Sequence, residues 1–296
     1  MREGRIIKAI SGFYYVHLHD EPSESIIQCR ARGVFKKRNI SPLVGDLVKI
    51  ELTENEEGTV VEVLPRRSEL IRPPIANVDQ AVMVFAATSP AFSYPLLDRL
   101  LVHAEFSGID GVICLTKMDD PEEKTVEVQE LKEIYEPMGY PVLFTSAKSG
   151  QGMDELLRAM SGKINVLAGP SGVGKSTLLN RLMPELDLKT GDISTKLGRG
   201  KHTTRHVELI QLPDQGAVAD TPGFSQLDFP DMAPEQLSDG FVEMRKFSPS
   251  CKFRGCLHQE EPGCTVREAL SSGTIASTRF ENYTTFLQEI KNSRRY

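Results

Sequence analysis

No run of apolar residues in this 296-residue chain approaches the roughly 20 needed to cross a bilayer. The opening Met1-Arg2-Glu3-Gly4-Arg5 lacks the apolar stretch of a signal peptide. Both absences lead to the expectation of a cytoplasmic protein with no membrane partner. An excess of positive charge is missing too: 35 Lys and Arg against 41 Asp and Glu leave a formal net charge of -6. Non-specific coating of nucleic acid needs clustered cations, so that class is disfavoured, while a local basic patch is not. Cysteine is scarce, and five is an odd number in a chain with no export signal, which argues against a disulfide framework. Three of the five crowd into residues 251–264, which points to metal instead.

What is present is ordinary globular material, 40% hydrophobic and 26% charged, long enough for two or three domains. Residues 1–68 read as five short strands, at 4–10, 13–18, 25–30, 47–52 and 59–64, separated by Pro, Gly and Asn punctuation. That count and length fit an all-β barrel of the oligonucleotide-binding (OB) type. Residues 69–230 change to alternating apolar strands and amphipathic helices, an α/β texture. Strands at 78–87, 111–116, 141–145 and 164–168 are nearly continuously apolar, as a parallel sheet covered on both faces demands. Residues 206–212 and 216–219 read as a hairpin on the sheet edge. Residues 231–296 are helical and polar, interrupted by the cysteine cluster.

Gly169-Pro170-Ser171-Gly172-Val173-Gly174-Lys175-Ser176 is a phosphate-binding loop in the right context, after an apolar strand and opening the apolar helix that contains Leu178, Leu179 and Leu182, with Thr177 as a further nucleotide-binding candidate. Its glycines let backbone N–H groups curl round a β-phosphate, and the helix N-terminus adds partial positive charge. Lys175 reaches the β and γ phosphates, and Ser176 ligates Mg²⁺. Asp220-Thr221-Pro222-Gly223 follows an apolar strand. By itself it is also a plausible turn, but beside the P-loop Asp220 suits the Mg²⁺ water shell and Gly223 the sensing of a γ-phosphate.

Thr116-Lys117-Met118-Asp119 and Ser146-Ala147-Lys148 each close a strand and together form a guanine clamp. Asp119 can accept hydrogen bonds from guanine N1–H and its 2-amino group, which adenine does not present. The Lys117 stem would lie along the base, and the Ala147 backbone N–H would donate to O6. In the C-terminal part, Cys251-x4-Cys256-x-His258-x5-Cys264 supplies three thiolates and an imidazole. Four protein ligands close a tetrahedral zinc site and leave no place for water, so the ion, one per chain, is expected to be structural. Cys29 and Cys114 lie in strands and read as core residues.

These motifs resemble the boxes of the translation-factor GTPase superclass, in the permuted order G4, G5, G1, G2, G3. The resemblance places the G2 box in the glycine-flanked stretch Gly198-Arg199-Gly200-Lys201-His202-Thr203-Thr204-Arg205-His206. Thr204 is the candidate switch I threonine for Mg²⁺, Thr203 is its rival, and a basic surface turn is the plain alternative. The permuted order, the leading barrel and the trailing cysteine cluster together resemble the ribosome small-subunit-dependent GTPases that act late in 30S assembly. The resemblance implies Mg²⁺-dependent GTP hydrolysis by a monomer, with slow intrinsic turnover, GTP and GDP as ligands, and the 30S subunit with its 16S rRNA as partner. It implies Lys175, Thr204 and His202 as the residues nearest the chemistry. Two departures stand out: Thr116 replaces the usual Asn, which should weaken the tie to the P-loop, and Gly172 replaces the Asn of potassium-activated relatives. Phe224 follows the G3 box where many GTPases carry a water-orienting Gln.

A cluster of Arg30, Arg32, Lys36, Lys37 and Arg38 around Phe35 suits a groove that tracks phosphate and stacks a base, and equally a solvated charged loop. Lys291, Arg294 and Arg295 form a weaker candidate of the same kind. The alternative to an active GTPase is an RNA-binding assembly module with a vestigial nucleotide site. Since the G3 segment leads straight into the C-terminal part, a nucleotide-driven domain movement is also expected.

Overall fold

The computed structural model describes residues 1–18, 25–33, 35, 40–53, 55, 57–71, 74–120, 124–186, 207–213, 215–220, 229 and 232–293. Strands β1 (Arg2–Ile10), β2 (Phe13–Leu18), β3 (Ile26–Ala31), β4 (Leu47–Leu52) and β5 (Gly58–Val63) pair in the order β1-β2-β3-β5-β4. An antiparallel β1–β4 pairing closes them into a barrel. Alternate residues point inward, so Ile6, Val16, Val48, Ile50 and Val60 are fully buried. A hairpin that the sequence pattern did not suggest, β6 (Glu69–Ile71) with β7 (Pro74–Ala76), follows the barrel. It is tied back by a Val44–Ile75 bridge.

The α/β part begins at β8 (Gln80–Ala86). It continues through α1 (Tyr94–Phe106), β9 (Asp110–Thr116), α2 (Val128–Tyr135), β10 (Val142–Phe144), α3 (Met153–Met160), β11 (Ile164–Ala168) and α4 (Lys175–Leu182) to β12 (Glu208–Gln211) and β13 (Ala217–Asp220). Strands β10-β9-β8-β11-β13 are all parallel, and β12 is antiparallel beside β13. The continuous apolar run of β8 resolves into two alternating sets. Ala81, Met83 and Phe85 join the core under α1, with Leu97, Leu100 and Leu101. Val82, Val84 and Ala86 join the other face, with Leu156 of α3 and Leu178 of α4. A strand buried on both faces has no polar side to show.

The expected hairpin forms, but β12 is no free edge. It pairs antiparallel with β1 at Lys8 and Glu208, whose side chains are 2.8 Å apart, so barrel and α/β sheet are one eleven-stranded sheet. Pairing across units satisfies the backbone groups that an edge would leave exposed.

The C-terminal part packs α5 (Val242–Phe247), α6 (Thr265–Ser271) and α7 (Ser277–Ser293) round Leu237, Phe241, Met244, Tyr283 and Phe286. It is fastened to the α/β part by buried charge. The fully buried Arg279 of α7 donates to Asp98 Oδ1 of α1 at 2.7 Å and to both Glu243 oxygens of α5 at 2.7 and 3.0 Å. Asp98 also accepts from Tyr135 Oη at 2.5 Å and Asn282 Nδ2 at 2.6 Å. Burial alone pushes the Asp98 carboxyl upward against these partners, and the guanidinium stays charged between two carboxylates. A body movement of the C-terminal part against α1 would have to part these ions, which runs against the expected domain movement. Among the described residues, no helix is long and apolar enough to cross a membrane.

Removing one partner of a buried pair strands the other charge, so Asp98→Ala should lower unfolding free energy by about 3–5 kcal/mol. Urea titration followed by circular dichroism checks it. A loss below about 1 kcal/mol would mean the network does not hold the units together.

Candidate functional site

The loops that carry the P-loop and both halves of the guanine clamp leave the carboxyl ends of the parallel strands β11, β9 and β10, where open α/β sheets bind ligands. Strand β11 runs into the P-loop at Gly169, whose φ is +141°. A Cβ there would stand 2.0 Å from the Val84 carbonyl oxygen of the neighbouring strand, so only glycine lets the loop start this close to β8. Gly174, at φ +101°, turns the loop into α4. Lys175 opens that helix and folds its ammonium over the loop, donating to the Gly169 and Pro170 carbonyls at 2.8 and 2.7 Å. Desolvation lowers its pKa. Ser176 and Thr177 follow on the first turn of α4, with Ser176 buried.

The base side stands next to it. The Thr116 hydroxyl lies 2.5 Å from the Val173 carbonyl oxygen and 3.1 Å from that of Phe85. A hydroxyl has one hydrogen, and the shorter contact ties β9 to the P-loop. The tie to the P-loop is thus present at Thr116, whose shorter side chain makes the link to the loop backbone. Lys117, at φ +58°, donates its ammonium to the Ser89 carbonyl in the connection between β8 and α1, a partner that sequence reading missed. Asp119 Oδ1 accepts from the Ser146 hydroxyl at 2.5 Å, while Ser146 Oγ accepts from the Ser149 N–H at 3.0 Å. The Ser146 hydrogen bond, with help from Lys148, holds the Asp119 carboxyl below its usual range. A cavity of about 290 Å³ lies between the elements. It is lined by Thr116, Lys117, Asp119 and Asp120 after β9, by Ala147 and Lys148 after β10, and by Gly174, Thr177 and Leu178 at the start of α4.

Residues 63–230 match the family profile described as RsgA GTPase, and residues 3–60 match the one described as RsgA N-terminal domain. The chain belongs to the RsgA GTPase family. A Bacillus velezensis relative named small ribosomal subunit biogenesis GTPase RsgA is 54% identical over 294 residues, 98% of each chain. The relative of the same name from Bacillus subtilis is 51% identical over 294 residues, 99% of this chain and 98% of its own. Among solved structures, YloQ, described as a circularly permuted GTPase, superposes with a TM-score of 0.85 at 46% identity, covering 99% of this chain and 96% of that one. YjeQ from Thermotoga maritima does so with 0.85 at 37% identity, covering 98% of both chains. As an RsgA-family GTPase, the protein is an enzyme that hydrolyses GTP, and GTPase sites work with Mg²⁺.

Of the further site residues expected in this RsgA-family chain, Asp220 ends β13, while Gly223, His202, Thr203, Thr204 and Phe224 lie outside the described residues. In the barrel, Arg30 is exposed over the Phe13 ring at 4.6 Å, and Arg32 pairs with Glu51 at 3.3 Å. Phe35 corrects the sequence reading: it is buried in the core and offers no face to a base. An apolar ring among cations was better used to cover the barrel. Lys36, Lys37, Arg38, Arg294 and Arg295 lie outside the described residues, and Lys291 donates to Gln259 Oε1 at 2.6 Å.

Cys251, Cys256, His258 and Cys264 bring their ligand atoms within 4.8 Å of one another. Cys251 and Cys264 sulfurs are 3.9 Å apart, and His258 Nδ1 lies 3.7 and 3.3 Å from them. Those are the edges of a tetrahedron with bonds of about 2.3 Å to sulfur and about 2.0 Å to nitrogen. Burial keeps the imidazole neutral, the form that ligates, and the donor set suits a thiophilic ion. Glu261, also missed from the sequence, accepts backbone N–H bonds from Leu257, Gln259 and Glu260 at 2.9, 2.8 and 3.1 Å. It thereby braces the turn that carries Cys256 and His258. Burial works against its charge, but these N–H groups outweigh it and hold the carboxyl below the usual range.

A depressed folded-state pKa means Glu261 stabilises the fold above the unfolded value of about 4.3 and loses that effect as pH falls through the folded value. The stability difference between the native chain and Glu261→Ala, both reduced and stripped of metal, should be full at pH 7. It should shrink below pH 4, as measured by urea unfolding. A difference that is absent at pH 7 would remove Glu261 from the brace.

Proposed function

We propose that this protein couples Mg²⁺-dependent GTP hydrolysis to late maturation of the 30S ribosomal subunit. The observation that carries the reading is the adjacency of the two half-sites: the Thr116 hydroxyl against the Val173 carbonyl sets the base cavity directly beside the P-loop. The relatives' name, shared over nearly the whole of both chains, supports the small subunit as partner. It also supports a cytoplasmic location.

In this reading Asp119 and the Ala147 N–H read guanine, and Lys117 covers one face of it. Ser146 is the residue that keeps Asp119 charged and aimed. The backbone of residues 169–175 and the Lys175 ammonium, released from the Gly169 and Pro170 carbonyls, bind the β and γ phosphates. Thr177, which lines the cavity at the start of α4, would also contact the nucleotide. Ser176, Thr204 and the water shell of Asp220 would hold Mg²⁺, and Gly223 would sense the γ-phosphate. When bound, the ion offsets charge on the β and γ oxygens. The Cys251, Cys256, His258 and Cys264 set would hold one structural zinc per chain. We place the division of labour at 1–68 for an OB-type domain contacting 16S rRNA, 69–230 for the GTPase and 231–296 for the zinc-binding domain. The protein acts as a monomer away from membranes.

With Phe224 at the position that usually orients water, intrinsic turnover is expected near the roughly 10⁻⁴ to 10⁻² per second of unassisted GTPases. Saturating 30S subunits should raise it at least about a hundredfold, worth about 2.7 kcal/mol, by bringing Thr204 to Mg²⁺ and His202 toward the γ-phosphate. His202→Ala should then reduce the stimulated rate more than the basal one. Steady-state phosphate release with and without subunits measures this, and an unchanged rate at saturation contradicts the proposal.

A further inference from the structure

Residues 117–120 form a tight turn, closed by the Asp120 N–H, which donates to the Lys117 carbonyl at 3.0 Å. The turn starts at φ +58° on Lys117, a left-handed backbone that a residue with a side chain rarely adopts. Such a turn needs support from outside. Asp119 stands within it, and Asp120 lines the base cavity beside Asp119, so the shape of the turn decides where the carboxylate faces.

The support comes from the connection between β8 and α1. At one end of the turn the Ser89 carbonyl accepts from the Lys117 ammonium, and at the other the Thr88 hydroxyl donates to Asp120 Oδ2 at 3.2 Å. Thr88 is only 1% exposed, so bulk water does not stand in for its hydroxyl. The connection is itself stitched down. Its Ala87 N–H donates to the Thr116 carbonyl at 2.9 Å, and the Ala87 carbonyl accepts from the Thr125 N–H at 2.8 Å. The Thr125 hydroxyl lies 3.1 Å from the Thr88 carbonyl oxygen and accepts from the Phe92 N–H at 3.0 Å. Two adjacent residues on a fixed piece of chain thus grip both ends of the turn.

We infer that Thr88 is a positioning residue for guanine recognition: its hydroxyl pins Asp120 and, with the Ser89 carbonyl on Lys117, holds the 117–120 turn so that Asp119 meets the base. This rests on the reading of Asp119 as the guanine acceptor. Ser146 holds the Asp119 carboxylate itself at Oδ1, whereas Thr88 and Ser89 hold the backbone that carries it. The phosphates belong to the loop after β11 and to α4, so the effect of losing Thr88 falls on contacts to the base.

The test is equilibrium binding of GDP and of inosine diphosphate, which lacks the 2-amino group, to the full chain well below each variant's melting temperature. Thr88→Val keeps the branched shape and removes the donor. It should raise the Kd for GDP about fivefold and narrow the preference for GDP over inosine diphosphate about threefold, because a mis-aimed carboxylate loses part of its hold on the 2-amino group. Thr88→Ser, which keeps the hydroxyl, should stay near the native values. Asp120→Ala removes the same contact from the other side and should narrow the preference likewise, and in that background Thr88→Val should cost less than about twofold. A GDP Kd for Thr88→Val within about twofold of native, an unchanged preference between the two nucleotides, or a full further loss in the Asp120→Ala background overturns the inference. Asp119→Asn in the same assay separates the two layers. If it leaves GDP affinity intact, the guanine-clamp reading fails; if it weakens GDP while Thr88→Val does not, the role of Thr88 alone fails.

Discussion

A backbone loop can wrap a phosphate only where its N–H groups point inward together, and here that geometry depends on one close contact. Gly169 lies so near the Val84 carbonyl that any side chain would collide with β8. The contact fixes the loop to the middle of a five-stranded parallel sheet, between β8 and β13. From that position follow the reach of Lys175 over the loop, the entry into α4, and the placement of Thr116 against Val173. The base cavity is then adjacent to the phosphate loop because β9 and β10 lie on the β8 side of the same sheet. Strand order, more than order along the chain, decides what the site contains.

That is why a permuted chain can build the site at all. The P-loop, the two halves of the guanine clamp and Asp220 each sit at the carboxyl end of a parallel strand, and joining those strands in a different order leaves their neighbours unchanged. What the permutation changes is where the chain goes after β13. It enters the C-terminal helices by way of Phe229, and those helices are bolted to α1 and α2 through Arg279, Asp98, Glu243 and Tyr135. The barrel is likewise continuous with the sheet through β1 and β12. Both appended parts are thus joined to the GTPase core, the barrel by sheet pairing and the C-terminal helices by buried ions.

Local pattern made much of this readable in the sequence. Five barrel strands, four parallel strands, the P-loop and the cysteine set were visible as short-range periodicity and spacing, and the structure places their residues together. What was not legible depended on distance along the chain. Asp98 and Arg279 are 181 residues apart, and nothing near either announces a buried pair. The join of β1 to β12 pairs residues 8 and 208, each of which looks like an ordinary exposed charge. Phe35 was misread because a ring among cations has the same local signature whether it faces a base or a core. Glu261 lies inside the cysteine run, and its role there, accepting the backbone N–H bonds that hold the turn, leaves no mark in the spacing of ligand types.

The claim that most of the account rests on is that the cavity beside the P-loop reads guanine through the Asp119 carboxylate. Replacing it by an amide, Asp119→Asn, turns an acceptor pair into an acceptor and a donor opposite guanine's N1–H and 2-amino group. Equilibrium binding of fluorescent GDP, competed with GTP and with xanthosine triphosphate, measures the consequence directly. The account predicts GTP affinity lower by at least about thirtyfold, or about 2 kcal/mol, with xanthosine triphosphate gaining over it. Unchanged GTP affinity with no gain for xanthosine triphosphate would contradict it.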